Sequence, residues 1–522
     1  MAMSLVTIVI LLTSTAAAAY DLSFLASGCD IRGTFVDDLT GLNPTVSYCL
    51  GRAFAKKLGP YKTILLGRDP RTHGEVLTKS FCSGFLDENS LATTPSSHVK
   101  ITGLATTPSV FHSCLTGFVD GGVMITASHL PKDRNGLKIF TKDGPLSVKE
   151  RDDLLKEAGR IMDDCDLDGT HIGEGIENVN FMSVYVSFLV DFVNERVGEK
   201  GLAGLKILVN SGGGSGYFLV DVLEQCGADV SSSINLSPNG SFPKGPPNPE
   251  NKKMVKETIE ACEREKNVDL AIMLDTDGDR VGFITPSSTG EYVPLNRNRF
   301  VAVMTAILAN SRPEGEETAY VVTDSVTSTG LEKFVNGLPG MRMIRFKKGY
   351  MNVINEAKRL CKEEGKAAEL AIETSGHSAF RANNWMDDGT YSAVVVVCEL
   401  AKRGGRVNDM IAGLEEASFE EELRLQVLEN ETSDVYAKIE AAVRGDGRWM
   451  VDELNKEGVR LVLGGKWGSG WFMLRPSLHD PVVSMQVECD EGVAAKLVSE
   501  VRNVIFGAVG DNVSYGDLDA IE

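Results

Sequence analysis

Six short apolar runs in this chain each end abruptly in a polar or glycine-rich loop, and the runs fall into three pairs. Residues 63–66 run into Gly67-Arg68-Asp69, and residues 123–125 into Thr126-Ala127-Ser128-His129. Residues 207–209 run into Asn210-Ser211-Gly212-Gly213-Gly214, and residues 270–274 into Asp275-Thr276-Asp277-Gly278-Asp279-Arg280. Residues 319–322 run into Thr323-Asp324-Ser325, and residues 370–372 into Glu373-Thr374-Ser375-Gly376-His377. The paired loops begin 59, 65 and 50 residues apart. Helix-like stretches such as 217–225 and 353–362 follow several of the runs. Short apolar strands alternating with amphipathic helices predict a parallel or mixed sheet covered on both faces. Recurrence at similar spacing predicts three α/β domains of one topology. Ligands in such sheets sit beyond the carboxyl ends of the strands, where all six loops would lie.

After about residue 406 the texture changes. The Glu/Leu/Ala-rich stretch 413–445 reads as helical, and a strand-rich end containing 470–476 and 482–487 follows. The expected fold is three topologically similar α/β domains with mixed sheets plus a smaller C-terminal α+β domain, around a central cleft. The boundaries are a signal-like targeting segment over 1–22 and domains over 23–178, 179–297, 298–405 and 406–510. A disordered tail over 511–522 completes them. A length of 522 residues suits three or four domains.

Fifty-three Lys and Arg against 73 Asp and Glu leave a net charge of −20. Such a surface repels nucleic acid and anionic membranes, so a nucleic-acid partner is not expected. An anionic small substrate remains compatible, provided that its site gathers basic side chains against the global field. Ten scattered cysteines without a Cys-x-x-Cys pair argue against structural zinc and a disulfide scaffold, and for buried reduced thiols. Residues 5–12 are nearly all apolar and 13–19 are small, as in a signal peptide, yet no Lys or Arg precedes Arg32. No segment is apolar enough for a membrane span.

The loop at 275–280 carries the most specific chemistry. Three carboxylates at alternate positions after a buried strand can converge on one hard cation, with Gly278 allowing the tight turn. Without a cation their repulsion would be costly. A calcium EF-hand needs Gly at the sixth position and a carboxylate at the twelfth, where Arg280 and Pro286 stand. An aspartyl-nucleophile phosphatase usually has Thr or Val in the place of Asp279. Arg280 adds an anion-binding fork. The loop at 126–138 sets Ser128 beside His129 at a strand end, with Pro131 and Gly136 stiffening it and Lys138 beyond. That placement suits a nucleophilic or phosphoryl-carrying hydroxyl. The Gly-x-Ser-x-Gly hydrolase frame is absent. The 212–216 glycine run lacks the last glycine of a dinucleotide site, where Tyr217 stands.

Together these loops resemble those of the α-D-phosphohexomutase superfamily, the phosphoglucomutase/phosphomannomutase enzymes. The family's phosphoserine loop, Thr-Ala-Ser-His-Asn-Pro…Asn-Gly-x-Lys, matches 126–138 except that Leu130 replaces Asn. Its metal loop is complete at 275–280. Its sugar loop, Gly-Glu-x-Ser-Gly-His, matches 373–377 with Ile372 in place of Gly. Its last phosphate loop keeps Arg475, Ser477 and Pro481 but carries Leu478 and His479 in the middle. Asp30-Ile31-Arg32-Gly33, the 67–71 segment Gly-Arg-Asp-Pro-Arg and Phe346-Lys347-Lys348-Gly349-Tyr350 match as well, so that the likeness runs from about residue 27 to 510.

The resemblance implies a phosphoserine enzyme that interconverts hexose 1-phosphate and hexose 6-phosphate, of glucose and/or mannose, through a hexose bisphosphate that also serves as activator. It implies one Mg²⁺ per chain, held by Asp275, Asp277, Asp279 and a phosphate oxygen on Ser128. His129, Lys138 and Arg32 would serve the transfer. Arg280, Glu373, Ser375, His377, Arg475, Ser477 and Lys347 would hold the sugar phosphate. Two alternatives follow from the altered loops: an amino-sugar phosphate mutase, or a catalytically weakened sugar-phosphate-binding relative. The expected assembly is a monomer or loose dimer with small-molecule partners. Chemistry favours the cytosol or a plastid as its place, with the signal-like start pointing to the secretory route or a plastid.

Overall fold

Each of the six apolar runs forms a buried strand: Thr63–Arg68, Gly121–Ile125, Ile207–Asn210, Leu270–Leu274, Ala319–Thr323 and Ala367–Ile372. The computed structural model describes residues 20–90, 97–164, 175–313, 315–428, 432–477 and 481–521. The signal-like residues 1–19 and the variant positions Leu478 and His479 lie outside the described residues. In the first domain Thr63–Arg68 lies between the parallel strands His98–Leu104 and Gly121–Ile125. The last of these reverses into the antiparallel strand Arg134–Thr141. In the second, Leu270–Leu274 runs parallel to Ile207–Asn210 and reverses into Val281–Pro286. In the third, Ala367–Ile372 runs parallel to Ala319–Thr323 and reverses into Ser378–Phe380. The phosphoserine, metal and sugar loops of the resemblance are therefore topologically equivalent turns. Each one joins a parallel strand to its antiparallel return.

These strands are apolar on both faces because helices cover them. Ile64, Leu65, Leu66, Val123, Met124 and Ile125 are wholly buried. Two helices aim their first turns at the metal loop. Thr107–Leu115 starts from a capping box on Thr106 and Ser109, and the Thr107 N–H donates to the Asp277 carbonyl at 2.9 Å. Gly389–Arg403 is capped by Asp388, which accepts from the Tyr391 N–H at 2.8 Å. A Cβ at Gly389 would lie 2.6 Å from the Arg280 carbonyl carbon, so a side chain there would push the helix off the loop.

The last domain is a six-stranded antiparallel sheet among the described residues, with two helices, Thr432–Gly445 and Glu491–Val509, packed together. Three expectations need correction. The 413–445 stretch is not helical throughout, because Phe419–Val427 is a strand pairing with Val482–Cys489. Its Glu-rich composition masks a period of two, in which Leu423, Leu425 and Val427 are buried. Residues 511–521 do not form a tail: Val513–Ser514 extends the sheet beside Gln426 and Val427, and Tyr515 and Leu518 are buried. At the other end Tyr20 and Leu22, read as part of the targeting segment, pack on the first domain. The Tyr20 hydroxyl donates to the Leu39 carbonyl at 2.7 Å, and Leu22 is buried.

The last domain is hooked onto the third through Arg460. This buried guanidinium donates to the carbonyls of Ser325 and Thr327, both at 3.0 Å, and lies over the Trp471 ring. All nine described cysteines are free thiols, seven of them buried. No described helix is long and apolar enough to cross a membrane.

Candidate active site

The three equivalent turns meet one another, so that residues far apart in sequence form one buried cluster. Ser128 stands at the end of Gly121–Ile125 in left-handed backbone, φ +52°, with only 1% of its surface exposed. Its hydroxyl donates to Asp275 Oδ2 at 2.8 Å, and His129 Nδ1 lies 3.3 Å from the same oxygen. Arg280 first, then burial and Arg32, hold His129 well below the usual histidine range, so it is neutral at pH 7.

In the metal loop Gly278, at φ +76°, turns the chain so that its own N–H and that of Arg280 donate to Asp275 Oδ1, at 3.0 and 3.2 Å. Thr107 Oγ1 donates to Asp277 Oδ2 at 2.6 Å. Lys138, reaching from the return strand Arg134–Thr141, sits 2.9 Å from Asp277 Oδ2 and also contacts Asp279. Burial, then the charges of Asp277 and Asp279, push Asp275 well above the normal carboxylate value. Burial pushes Asp277 the same way, but Lys138, the Thr107 bond and Arg32 outweigh it and bring that group down. Ligand oxygens of Asp275, Asp277 and Asp279 all lie within 4.8 Å of one another. Asp277 Oδ1 and Asp279 Oδ1 are buried with no hydrogen-bond partner among the described residues. Three buried carboxylates with acceptors to spare are a donor set for a hard divalent cation, and the residues present fit Mg²⁺.

The sugar loop joins the metal loop directly: the Val281 N–H donates to the Gly376 carbonyl at 3.1 Å, and Arg280 and His377 form a β-bridge. His377 Nδ1 lies 2.6 Å from Asp387 Oδ2, and its ring stacks on Tyr350 with centroids 5.2 Å apart. Burial and then Arg280 push this imidazole down to about 4. Glu373 is buried, and burial followed by repulsion from Asp324 lifts it to about 7. Ser375 Oγ lies 3.4 Å from Glu373 Oε2. Arg32 pairs with Asp30 at 2.8 Å, and Asp30 also accepts from the Tyr350 hydroxyl at 3.3 Å. Arg280 Nη1 lies 3.9 Å from Glu250.

Ser128, His129, Lys138, Arg32, Arg280, Glu373, Ser375, His377 and the three aspartates are thus brought together. Lys347 is not: its side chain is exposed, whereas the charge of Lys348 acts on Glu373 and Asp324. Neighbouring lysines in a loop give no sequence signal of which one faces inward. Arg475 and Ser477 lie apart on the last domain, at the end of Gly470–Pro476. Arg475 and Lys348 both act on Glu422, which joins the two basic groups into one border of the cleft. Sequence reading did not single out Asp30, Thr107, Asp324 or Asp387. Two of them carried a signal, Asp30 as the first residue of a matched motif and Asp324 as a polar residue directly after one of the paired strands.

Three family models match the chain in order: phosphoglucomutase/phosphomannomutase α/β/α domain I over residues 26–162, domain II over 183–288 and domain III over 296–417. The chain belongs to the phosphoglucomutase/phosphomannomutase family. It is a phosphohexomutase, and the three turns that meet here come one from each of the three repeated domains. Among its curated relatives, a phosphoglucosamine mutase of Methylococcus capsulatus is 28% identical over 470 residues, covering 89% of this chain and 93% of its own. A phosphomannomutase/phosphoglucomutase of Pseudomonas syringae is also 28% identical, over 467 residues, covering 88% and 90%. A solved phosphoglucomutase/phosphomannomutase family protein of Burkholderia thailandensis superposes with a TM-score of 0.73 at 21% identity, covering 93% of this chain and 98% of its own.

Proposed function

We propose that this phosphohexomutase interconverts the 1- and 6-phosphates of a hexose, glucose and/or mannose, by way of a phosphoserine at Ser128 and a hexose bisphosphate. The carrying observation is the Ser128 hydroxyl, buried among Asp275, His129 and the metal-loop carboxylates at the meeting of the three turns. In the forward step the P–O bond to Ser128 Oγ breaks and one forms to a sugar hydroxyl, whose proton passes to Ser128 Oγ; in the return step that proton goes to the sugar oxygen that is freed. In the return step the other phosphoryl group of the bisphosphate passes back to Ser128 Oγ. Atoms balance, and no water enters.

Phosphoryl transfer asks chiefly for alignment and neutralised charge. Asp275, Asp277 and Asp279 would hold Mg²⁺, which when bound supplies countercharge to the phosphoryl oxygens. Arg32 and Arg280 face the same space and bring guanidinium donors to it. His129, neutral at pH 7, can accept the proton of the attacking hydroxyl, and Lys138 stays charged beside the carboxylates. Glu373, Ser375 and His377 offer acceptors and donors to sugar hydroxyls. Arg475, Ser477 and Lys348 border the cleft where the non-reacting phosphate would sit. A gathering of cations inside a protein of net charge −20 suits an anionic substrate.

One observation favours an amino-sugar phosphate as a second reading. Asp324, wholly buried beside the sugar loop, keeps Oδ1 without a hydrogen bond among the described residues, next to the raised carboxyl of Glu373. Two such groups are a place for an ammonium. A coupled assay decides, using purified protein, Mg²⁺, a trace of glucose 1,6-bisphosphate and a panel of glucose, mannose, glucosamine and N-acetylglucosamine 1-phosphates. The neutral-sugar reading predicts the highest kcat/KM for glucose or mannose. A preference of tenfold or more for glucosamine 1-phosphate would replace it by the second reading.

A further inference from the structure

The serine is held from behind by a side chain that touches no reacting atom. Arg71 follows the loop of the neighbouring parallel strand, and its side chain is wholly buried. Its guanidinium offers five N–H donors, and every one has an acceptor. Nε donates to Asp69 Oδ2 at 3.1 Å. Nη1 donates to the carbonyls of Pro131 at 2.6 Å and Arg134 at 3.0 Å. Nη2 donates to the carbonyls of Ser128 at 2.6 Å and Leu130 at 2.7 Å. Four consecutive-turn carbonyls of the Ser128 loop therefore converge on one planar group. Asp69, its partner, also accepts from Thr126 Oγ1 at 2.7 Å, and Thr126 Oγ1 in turn accepts from the Ser128 N–H at 2.8 Å. Both backbone polar groups of Ser128 are thus tied to one carboxylate, the N–H through Thr126 and the carbonyl through Arg71.

We propose that Arg71 is a positioning residue for phosphoryl transfer, fixing the Ser128 loop in the conformation that aims Oγ at the metal carboxylates. This rests on Ser128 being the phosphoryl carrier. A non-glycine residue at φ +52° persists only where its surroundings over-determine it. The closed circuit of Asp69, Arg71, Thr126 and Ser128 does that here. A lysine in place of Arg71 keeps the charge next to Asp69 but has three donors without the fork, so at least two loop carbonyls lose their partner. The sugar and distal-phosphate contacts lie on other domains and are not touched by the change.

The test compares wild type with Arg71→Lys and Thr126→Val, each incubated with glucose 1,6-bisphosphate and quenched over time for intact-mass and peptide mapping of phosphate on Ser128. Melting curves and steady-state KM for the monophosphate accompany it. The expected result is a 100-fold or greater slowing of Ser128 phosphorylation and of kcat in both variants. KM should stay within about threefold and the variants should still melt cooperatively. Should Arg71→Lys fail to fold, Thr126→Val carries the same expectation through the other arm of the circuit. Wild-type rates in the folded variants, or a loss confined to melting temperature, would overturn the inference. Wild-type phosphate appearing on a residue other than Ser128 would instead overturn the carrier reading on which it rests.

Discussion

The turn that carries Ser128 and the turn that carries Glu373 are braced by the same device and finished differently. In each domain an aspartate directly after the neighbouring parallel strand accepts from a threonine hydroxyl of the functional turn at 2.7 Å: Asp69 from Thr126, and Asp324 from Thr374. Asp69 then meets Arg71, which saturates it and ties down four carbonyls of the turn. Asp324 meets no guanidinium among the described residues. One of its oxygens has no hydrogen-bond partner among the described residues, and the charge of Lys348 faces it across the cleft border. The first turn is closed upon itself, and the second keeps unspent acceptors. The difference fits the two tasks. On the proposed function, a transferring phosphoryl group would need one fixed geometry, whereas the sugar loop would have to hold hydroxyls in both orientations of a bisphosphate.

Replacing Ser128, the proposed carrier, is the largest expected effect. Ser128→Ala should abolish mutase turnover while leaving the fold intact, because the lost hydroxyl makes few contacts within its turn. Intact mass of the native protein should show one phosphate on Ser128 and none in the variant. Near-normal bisphosphate-dependent activity in Ser128→Ala would break the contrast at its fixed end.

Asp277→Asn comes next. It removes one charge from the carboxylate triad and one of the two countercharges of Lys138, so turnover should fall on the order of 10²- to 10³-fold, the scale for losing one preorganised electrostatic partner. Mg²⁺ affinity measured by titration calorimetry should fall with it. Full activity in excess chelator would remove the metal from the site altogether.

Arg475→Ala probes the border that the last domain supplies. Loss of a charge-assisted fork on the distal phosphate should cost about 2–4 kcal/mol, or roughly 30- to 1000-fold in kcat/KM, with KM raised. Arg475→Lys should restore part of it. Unchanged kinetics would mean that the last domain covers the cleft without gripping the substrate.

Much of this arrangement was legible in the sequence, because strands buried on both faces read as bare apolar runs and functional turns concentrate residues that are costly elsewhere. Three carboxylates at 275–279 have no cheap structural use. What stayed hidden was of two kinds. Partners that come from outside a motif, such as Asp387, which follows His377 by ten residues, or Thr107 on Asp277, leave no local pattern. The 67–71 segment, Gly-Arg-Asp-Pro-Arg, was visible as a motif, but its role depends on carbonyl directions 60 residues away. Elsewhere composition outvoted period: the glutamates of Phe419–Val427 suggest helix, and only the alternate burial of Leu423, Leu425 and Val427 reveals a strand.

The smallest effect is a pH dependence at the open turn. Burial and then Asp324 raise the Glu373 carboxyl from an ordinary 4.5 to about 7. A raised folded-state value means that the fold prefers the protonated acid. Its contribution to stability is complete below pH 4.5 and is lost as pH rises through 7. On the proposed function, sugar hydroxyls would donate to the carboxylate and so favour the ionised form, which would give substrate binding the opposite slope. Between pH 6 and pH 8 the wild-type kcat/KM should therefore rise several-fold while the melting temperature of the free enzyme falls. Glu373→Gln keeps an oxygen to accept from the Gly349 N–H, as Glu373 Oε1 does. It should flatten both slopes, melt higher than wild type at pH 8 and equal it at pH 5. Parallel slopes in wild type and variant would assign the titration to another group and leave Glu373 without reserve, which would erase the contrast with the Ser128 turn.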